Sequence, residues 1–445
     1  MKKSSLYFIL LLSCALFTPY VSAWEHHPVF TRGAITFMPE IAEAEQVVAT
    51  TLEDFLMAVE PALETTLDAQ EAWSRAHLGW YAPRPEPLRF AATGNRDDIR
   101  DRFFRAIRIN PNTRTPLYYS RLTEVSGAAS QGLPLSEVAL LPDTAGIDRF
   151  DYWPLNAGDP VAPVDVVASA SNEPDFGMDV GLFENNNTPF GAEYGFGEQP
   201  FGDPTLDYGS QAPFHMGFYH ESWLVFLFGS FLKESYVEYR IHLFKTLSEL
   251  AFAEGQDYWG WRFMGWGMHY VADLSMPYHT TVLPGYSTLR MLVINLLDIL
   301  GMPRLKDNAV QLVSNRHMAI ERYQRLVFED VWRRQDWQDP TMAALKTPES
   351  VPAYTDDAPR KQLARSSNAL SRKLNRVIKT YMPAAFVNDP GVELVNRDDL
   401  DQIVEMIEDA HGAEALDELN ALTAEALALF GAYGRAYALA ILGAS

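Results

Sequence analysis

Apolar residues recur at three- and four-residue spacing over residues 40 to 77, with acidic and polar side chains between them. That period predicts an amphipathic helix, and Pro61 is expected to divide it into two pieces. Residues 96–108 predict a shorter helix. Beyond Ser230 the helical pattern is sustained over residues 232–253, 257–275, 288–300, 306–334 and 360–381, with a further pair within 397–442. Between about residues 111 and 213 it lapses into Pro, Gly, Asn, Asp and aromatic side chains, which predicts a long irregular excursion. Loops of that length inside a domain tend to be functional, and this one is rich enough in Phe and Tyr to pack near a site. Strand signals are few and short. Without a repeat or a clear linker, the chain reads as all-α: a multi-helix single domain with long aromatic-rich loops, in which residues 390–445 are a candidate appended helical hairpin.

One predicted helix is unusual. Residues 257–272 are apolar on nearly every side, as in a helix enclosed by a core. The longest apolar runs elsewhere, residues 223–232 and 289–302, fall short of a membrane span and read as core or interface helices, so no transmembrane segment is expected. The chain opens with Met1-Lys2-Lys3, an apolar stretch and Val21-Ser22-Ala23, the anatomy of a signal peptide cleaved before Trp24. A competing reading is lipid attachment at Cys14. Cleavage before Trp24 removes the one cysteine of the chain and implies a secreted or periplasmic protein without disulfides. The formal net charge of −22 disfavours tight electrostatic binding to nucleic acid.

The candidate chemistry begins at the end of the buried helix, in His269-Tyr-Val-Ala-Asp273-Leu-Ser-Met-Pro277-Tyr-His279. At i and i+4, His269 and Asp273 project from one face, Pro277 ends the helix, and His279 leaves from the following turn. A buried carboxylate beside two imidazoles requires compensation, and a divalent cation supplies it by binding neutral imidazole and ionised carboxylate together. A hydrogen-bonded network is the plainer alternative. His317 and Glu321 repeat the i, i+4 arrangement on another predicted helix. With His279 they form a His, His, Glu set that leaves a position open for water, the pattern of catalytic zinc. The processed N-terminus, Trp24-Glu-His26-His27, adds an α-amine that titrates at about 7.7 to 8.0, so a metal can displace its proton at modest cost.

An N-terminal Trp after cleavage, a nearby His, His-x3-Asp-x3-Pro-x-His on a buried helix and a later His-x3-Glu together resemble the trinuclear zinc phospholipases C of bacteria and the related single-strand-specific nucleases. Outside those motifs the resemblance is faint, and this chain is much longer than the compact members. It implies three zinc ions: Trp24, His27 and Asp273 at one, His269, Asp273 and an upstream histidine at a second, and His279, His317 and Glu321 at the third. The upstream ligand is His215 or His220, with His215 preferred because Phe218 and Tyr219 follow it. His26 is a substitute for His27. The family's aspartate between the first and central motifs, a general base or further ligand, best matches Asp175, with Asp179 and Asp143 in reserve. His77, His242 and His411 match nothing. Glu321 resembles the phospholipases more than the nucleases, so the resemblance implies a phospholipid substrate at a membrane surface. A single-strand nuclease or other phosphodiesterase is the alternative, and an idle zinc-stabilised binding protein a third reading.

Overall fold

The computed structural model describes residues 26–123, 132–141, 147–346, 352–394 and 397–444. The expected signal peptide, Trp24 and Asp143 lie outside them. Helix accounts for 64% and strand for 4%, which makes the class all-α.

Helix α1 (His27–Ile35) leads to α2 (Leu52–His77), where Thr51 Oγ1 caps the helix by accepting from the Asp54 amide. Contrary to the sequence expectation, α2 runs unbroken through Pro61. Pro61 faces solvent, whereas Leu56, Val59, Leu63 and Leu67 on the opposite face are buried and hold both halves to the core. That burial, at ~1.5–3 kcal/mol per large side chain, outweighs the ~3 kcal/mol cost of an interior proline. Helix α3 (Ile99–Ile107) follows.

The region expected to be irregular is instead compactly folded from small pieces. Strands β2 (Tyr118–Leu122) and β3 (Phe150–Pro154) pair antiparallel, with Ser120 opposite Tyr152, and β1 (Val47–Val48) pairs with β4 (Pro160–Val161). Helices α4 (Pro163–Ala170) and α5 (Asp207–His215) complete it. Its aromatics do not form an exposed loop surface: Phe183, Tyr194, Phe196 and Phe214 are buried.

Further helices include α6 (Trp223–Phe228), α7 (Val237–Ala253), α8 (Asp257–Asp273), α9 (Thr288–Ile299), α10 (Arg304–Arg334), α11 (Ala364–Tyr381), α12 (Ile403–His411) and α13 (Ala413–Ala444). Helix α8 is the axis of the fold. Every residue from Tyr258 to Asp273 is buried, as its all-round apolar sequence predicts. Glycine makes that enclosure possible. A Cβ at Gly265 would lie 2.6 Å from both Ala170 Cβ and the Val167 carbonyl oxygen, so α4 can press directly on α8 only at a glycine.

The C-terminal pair is not an appendage. Leu419, Leu427, Phe430 and Tyr437 of α13 belong to the same core, and the Tyr437 hydroxyl donates to the Ile241 carbonyl of α7 at 3.2 Å. Residues 413–443 are also long and apolar enough to cross a membrane, which the sequence reading overlooked, but half of the most apolar stretch is buried within this fold.

Candidate metal centre

Six separate stretches of chain converge at the C-terminal end of α8. His269 and Asp273 come from α8, and the turn Pro277–His279 supplies His279. His317 and Glu321 stand one helical turn apart on α10, and His215 is the last residue of α5. Asp175 sits in the short helix Glu173–Phe176, and His27 opens α1. All eight are buried.

Three groups within this cluster have ligand atoms within 4.8 Å of one another: His27, His269 and Asp273; Asp175, His215 and His269; and His279, His317 and Glu321. The first two share His269. Asp273 lies between all three, with Oδ2 2.9 Å from His215 Nδ1 and 3.4 Å from His269 Nε2, and Oδ1 3.5 Å from His279 Nδ1 and 3.9 Å from His27 Nε2. Asp175 reaches the same space, 3.7 Å from His269 Nε2 and 3.8 Å from His27 Nε2. In the third group Glu321 Oε1 is 2.8 Å from His317 Nε2 and 3.6 Å from His279 Nε2.

Backbone carbonyls orient two of the imidazoles. His269 Nδ1 donates to the Ser171 carbonyl at 2.8 Å, which turns Nε2, without a proton, towards the cluster, 3.1 Å from His215 Nδ1. Gly265 underlies this bond, because the close approach of α4 brings Ser171 to His269. Likewise His279 Nδ1 donates to the His215 carbonyl at 3.1 Å and turns Nε2 towards Glu321.

Behind the cluster stand two buried ion pairs. Glu173 accepts from Arg262 through both oxygens, from the Tyr118 hydroxyl and from Trp266 Nε1, fixing the turn that carries Asp175. Asp179 accepts from Arg240 and from the Tyr270 hydroxyl and approaches His215 Nε2 at 3.4 Å.

Several of these buried atoms are not satisfied by protein. Among the described residues, both ring nitrogens of His27, Asp175 Oδ1, Asp273 Oδ1 and His279 Nε2 have no hydrogen-bond partner. Each such group costs on the order of 1–3 kcal/mol if left unmade. The protonation equilibria show the same conflict. Burial raises the Asp175 carboxyl well above its usual range and Asp273 to about 6, while burial lowers His279 to about 4 and His317 to about 3. Burial alone would also lower His215, but its contacts with Asp179 and Asp273 outweigh that and raise it to about 10. Imidazoles kept neutral at His27, His269, His279 and His317 beside carboxylates hard to ionise are stabilised by cations, which favour the neutral base and the ionised acid together. Imidazole with carboxylate is a donor set suited to zinc, so the residues present fit the ions expected of them.

The structure also decides between alternatives. His27, not His26, enters the cluster; His26 turns away with a positive φ of 70° and meets Glu329 Oε1 at 2.8 Å. His215 enters and His220 does not, since His220 Nε2 donates to the Arg360 carbonyl at 2.7 Å. That placement corrects the inclusion of His220 among the candidate ligands. Of the reserves for Asp175, Asp179 supports His215 from behind. His242 stacks on Trp73 with ring centroids 3.4 Å apart, away from the centre. Sequence reasoning missed the partners Glu173, Arg262 and Arg240, for which a buried helix bearing an unexplained arginine was the available signal. No family model, curated protein or solved structure matches this chain.

Proposed function

We propose that this chain is a zinc-dependent phospholipase C of the trinuclear type, which hydrolyses the glycerol-side phosphodiester bond of phospholipids such as phosphatidylcholine. The observation that carries the reading is the convergence of three buried histidine–carboxylate groups on one end of α8. His27, His269, Asp273, Asp175 and His215 would hold two ions, completed at one of them by the Trp24 amine and carbonyl, and His279, His317 and Glu321 would hold the third. Zinc there supplies charge to bind the phosphate oxygens, a more acidic water and stabilisation of the leaving alkoxide.

The chain's own residues supply orientation and proton transfer. The Ser171 and His215 carbonyls keep the donor nitrogens of His269 and His279 aimed inward. Asp175 is the proton acceptor. Glu173, clamped by Arg262, holds its turn in place. In the hydrolysis, water oxygen bonds to phosphorus, one water proton passes to Asp175, the bond from phosphorus to the glycerol oxygen breaks, and the departing alkoxide takes up the proton held by Asp175, while the second water proton leaves with the phosphomonoester. Phospholipid is favoured over nucleic acid by Glu321, the ligand at which the chain resembles the phospholipases more than the nucleases.

The test is a paired assay of protein beginning at Trp24 on phosphatidylcholine and on single-stranded DNA, with and without chelator. Phosphocholine release that chelation abolishes is expected. Release that survives chelation removes zinc from the mechanism, and cleavage of DNA alone makes the protein a nuclease.

A further inference from the structure

The two apolar runs that read as core or interface helices carry most of the exposed large apolar side chains described. On α9, Leu289, Val293, Leu296 and Leu300 form a stripe at helical spacing along the outer face, with Leu289 72% exposed. The opposite face, through Met291 and Ile294, is buried, so α9 has no polar side to offer water there. Helix α6 starts beside it, Ser222 Oγ lying 3.4 Å from Thr288 Oγ1, and adds Trp223, 73% exposed, and Leu227. Such a face needs a partner.

Two features of the structure say which. First, the face is continuous with the metal centre. Beneath it, Phe228 and Leu292 line one narrow cavity and His317 lines a second, and the two share Val282, Leu283 and Val310 as a common wall. Each holds about 50 Å³, too little for a lipid chain, so it is the outer face rather than the interior that meets a partner. Second, the acidity of the chain lapses locally. In a chain of net charge −22, residues 221–234 and 282–307 carry Lys233, Arg290, Arg304 and Lys306 against Glu221, Glu234, Asp298 and Asp307, a local balance of zero in which Lys306 is paired with Asp298. Exposed aliphatic side chains with a tryptophan at the edge and basic residues around them suit the headgroup boundary of a bilayer.

We infer that the outer faces of α6 and α9 dock this protein on a phospholipid surface, with the metal centre held beside the headgroups. The choice of lipid rests on the function proposed above, and the docking places that site at its substrate.

The experiment uses protein beginning at Trp24, its L289S/L296S double variant and a W223S variant. Flotation with phosphatidylcholine vesicles, with and without phosphatidylglycerol, reads binding without turnover, in chelator. Hydrolysis of dihexanoyl phosphatidylcholine below its micelle concentration reads the metal centre without a surface. Wild type should float and the variants should bind at least tenfold more weakly, with vesicle hydrolysis falling in step and hydrolysis of the dispersed lipid unchanged. Wild type that stays with the protein-only fraction, or variants that float as well as wild type, would overturn the docking face. So would a wild-type dimer that the double variant converts to monomer while neither binds vesicles. Binding that follows the prediction while neither lipid is cleaved would leave the docking face standing and remove the proposed activity.

Discussion

His27 lies with its ring stacked on that of His269, centroids 4.0 Å apart and planes 28° from parallel, although one opens α1 and the other stands in the last turns of α8. Both rings are buried, and burial lowers both well below the usual histidine range, His27 being pushed further by His215 and His279, and His269 by His27 and His215. Two neutral imidazoles held face to face against Asp175 and Asp273 are the core of the proposed centre.

His269 belongs to two of the three ligand groups and His317 to one. Metal analysis of purified variants should therefore distinguish them: about three zinc ions per chain in wild type, two in H317A and one in H269A. Equal losses in the two variants would mean that the groups are not separate sites.

The α-amine of Trp24 is assigned to the first of these ions by the family resemblance. Protein carrying one additional residue before Trp24 should bind about one zinc ion fewer and lose most of its activity, because the amine is moved off the metal. Full zinc content and full activity in the extended protein would remove Trp24 from the ligand set.

Arg262 and Glu173 form a buried pair, with Arg262 Nη2 2.8 Å from Glu173 Oε1. R262A leaves the Glu173 carboxylate buried without its cation, which costs about 3–5 kcal/mol. Chemical denaturation should show that loss, and activity should fall further than stability predicts at temperatures where the variant is still folded, since Glu173 anchors the turn bearing Asp175. A variant within 1 kcal/mol of wild type would contradict the assignment.

At Gly265 the space for a methyl group is absent. G265A gains up to about 1 kcal/mol in helix propensity but incurs overpacking of about 1–3 kcal/mol against α4. A net loss of stability is expected, together with weaker zinc retention, because Ser171 and His269 move apart. Unchanged melting and zinc content would show that α4 yields without effect.

Glu238 is buried beside Arg360, with Oε1 3.3 Å from Nε. Burial raises its carboxyl to about 7, although Arg360 pulls it down. Because the folded value exceeds the unfolded one of about 4.3, the group favours the fold below that value, and this contribution is lost as pH rises through 7. E238Q removes the penalty of ionising it, so the variant should gain on the order of 1–2 kcal/mol relative to wild type at pH 8.5 and nothing at pH 4.5. Denaturation at the two pH values checks the difference, and a gain at pH 4.5 would reverse the sign.

What the chain determines by itself is local. The 3.6-residue period of α8 and its apolar flanks make a buried helix, and the i, i+4 spacing sets His269 with Asp273 and His317 with Glu321 on common faces. Pro277 must end α8, so His279 must leave it by a turn. These relationships need no partner elsewhere in the chain. Tertiary packing decided the rest. Whether His26 or His27 faces inward depends on Glu329 of α10, and whether His215 or His220 does so depends on the Arg360 carbonyl ahead of α11. Pro61 was tolerated because core burial on the far face of α2 exceeded its local cost. Hydrophobicity alone could not tell the enclosed aromatics of residues 183–214 from the exposed leucines of α9, because burial depends on which other elements arrive. That information lies in contacts between distant segments, which neither residue spacing nor composition encodes.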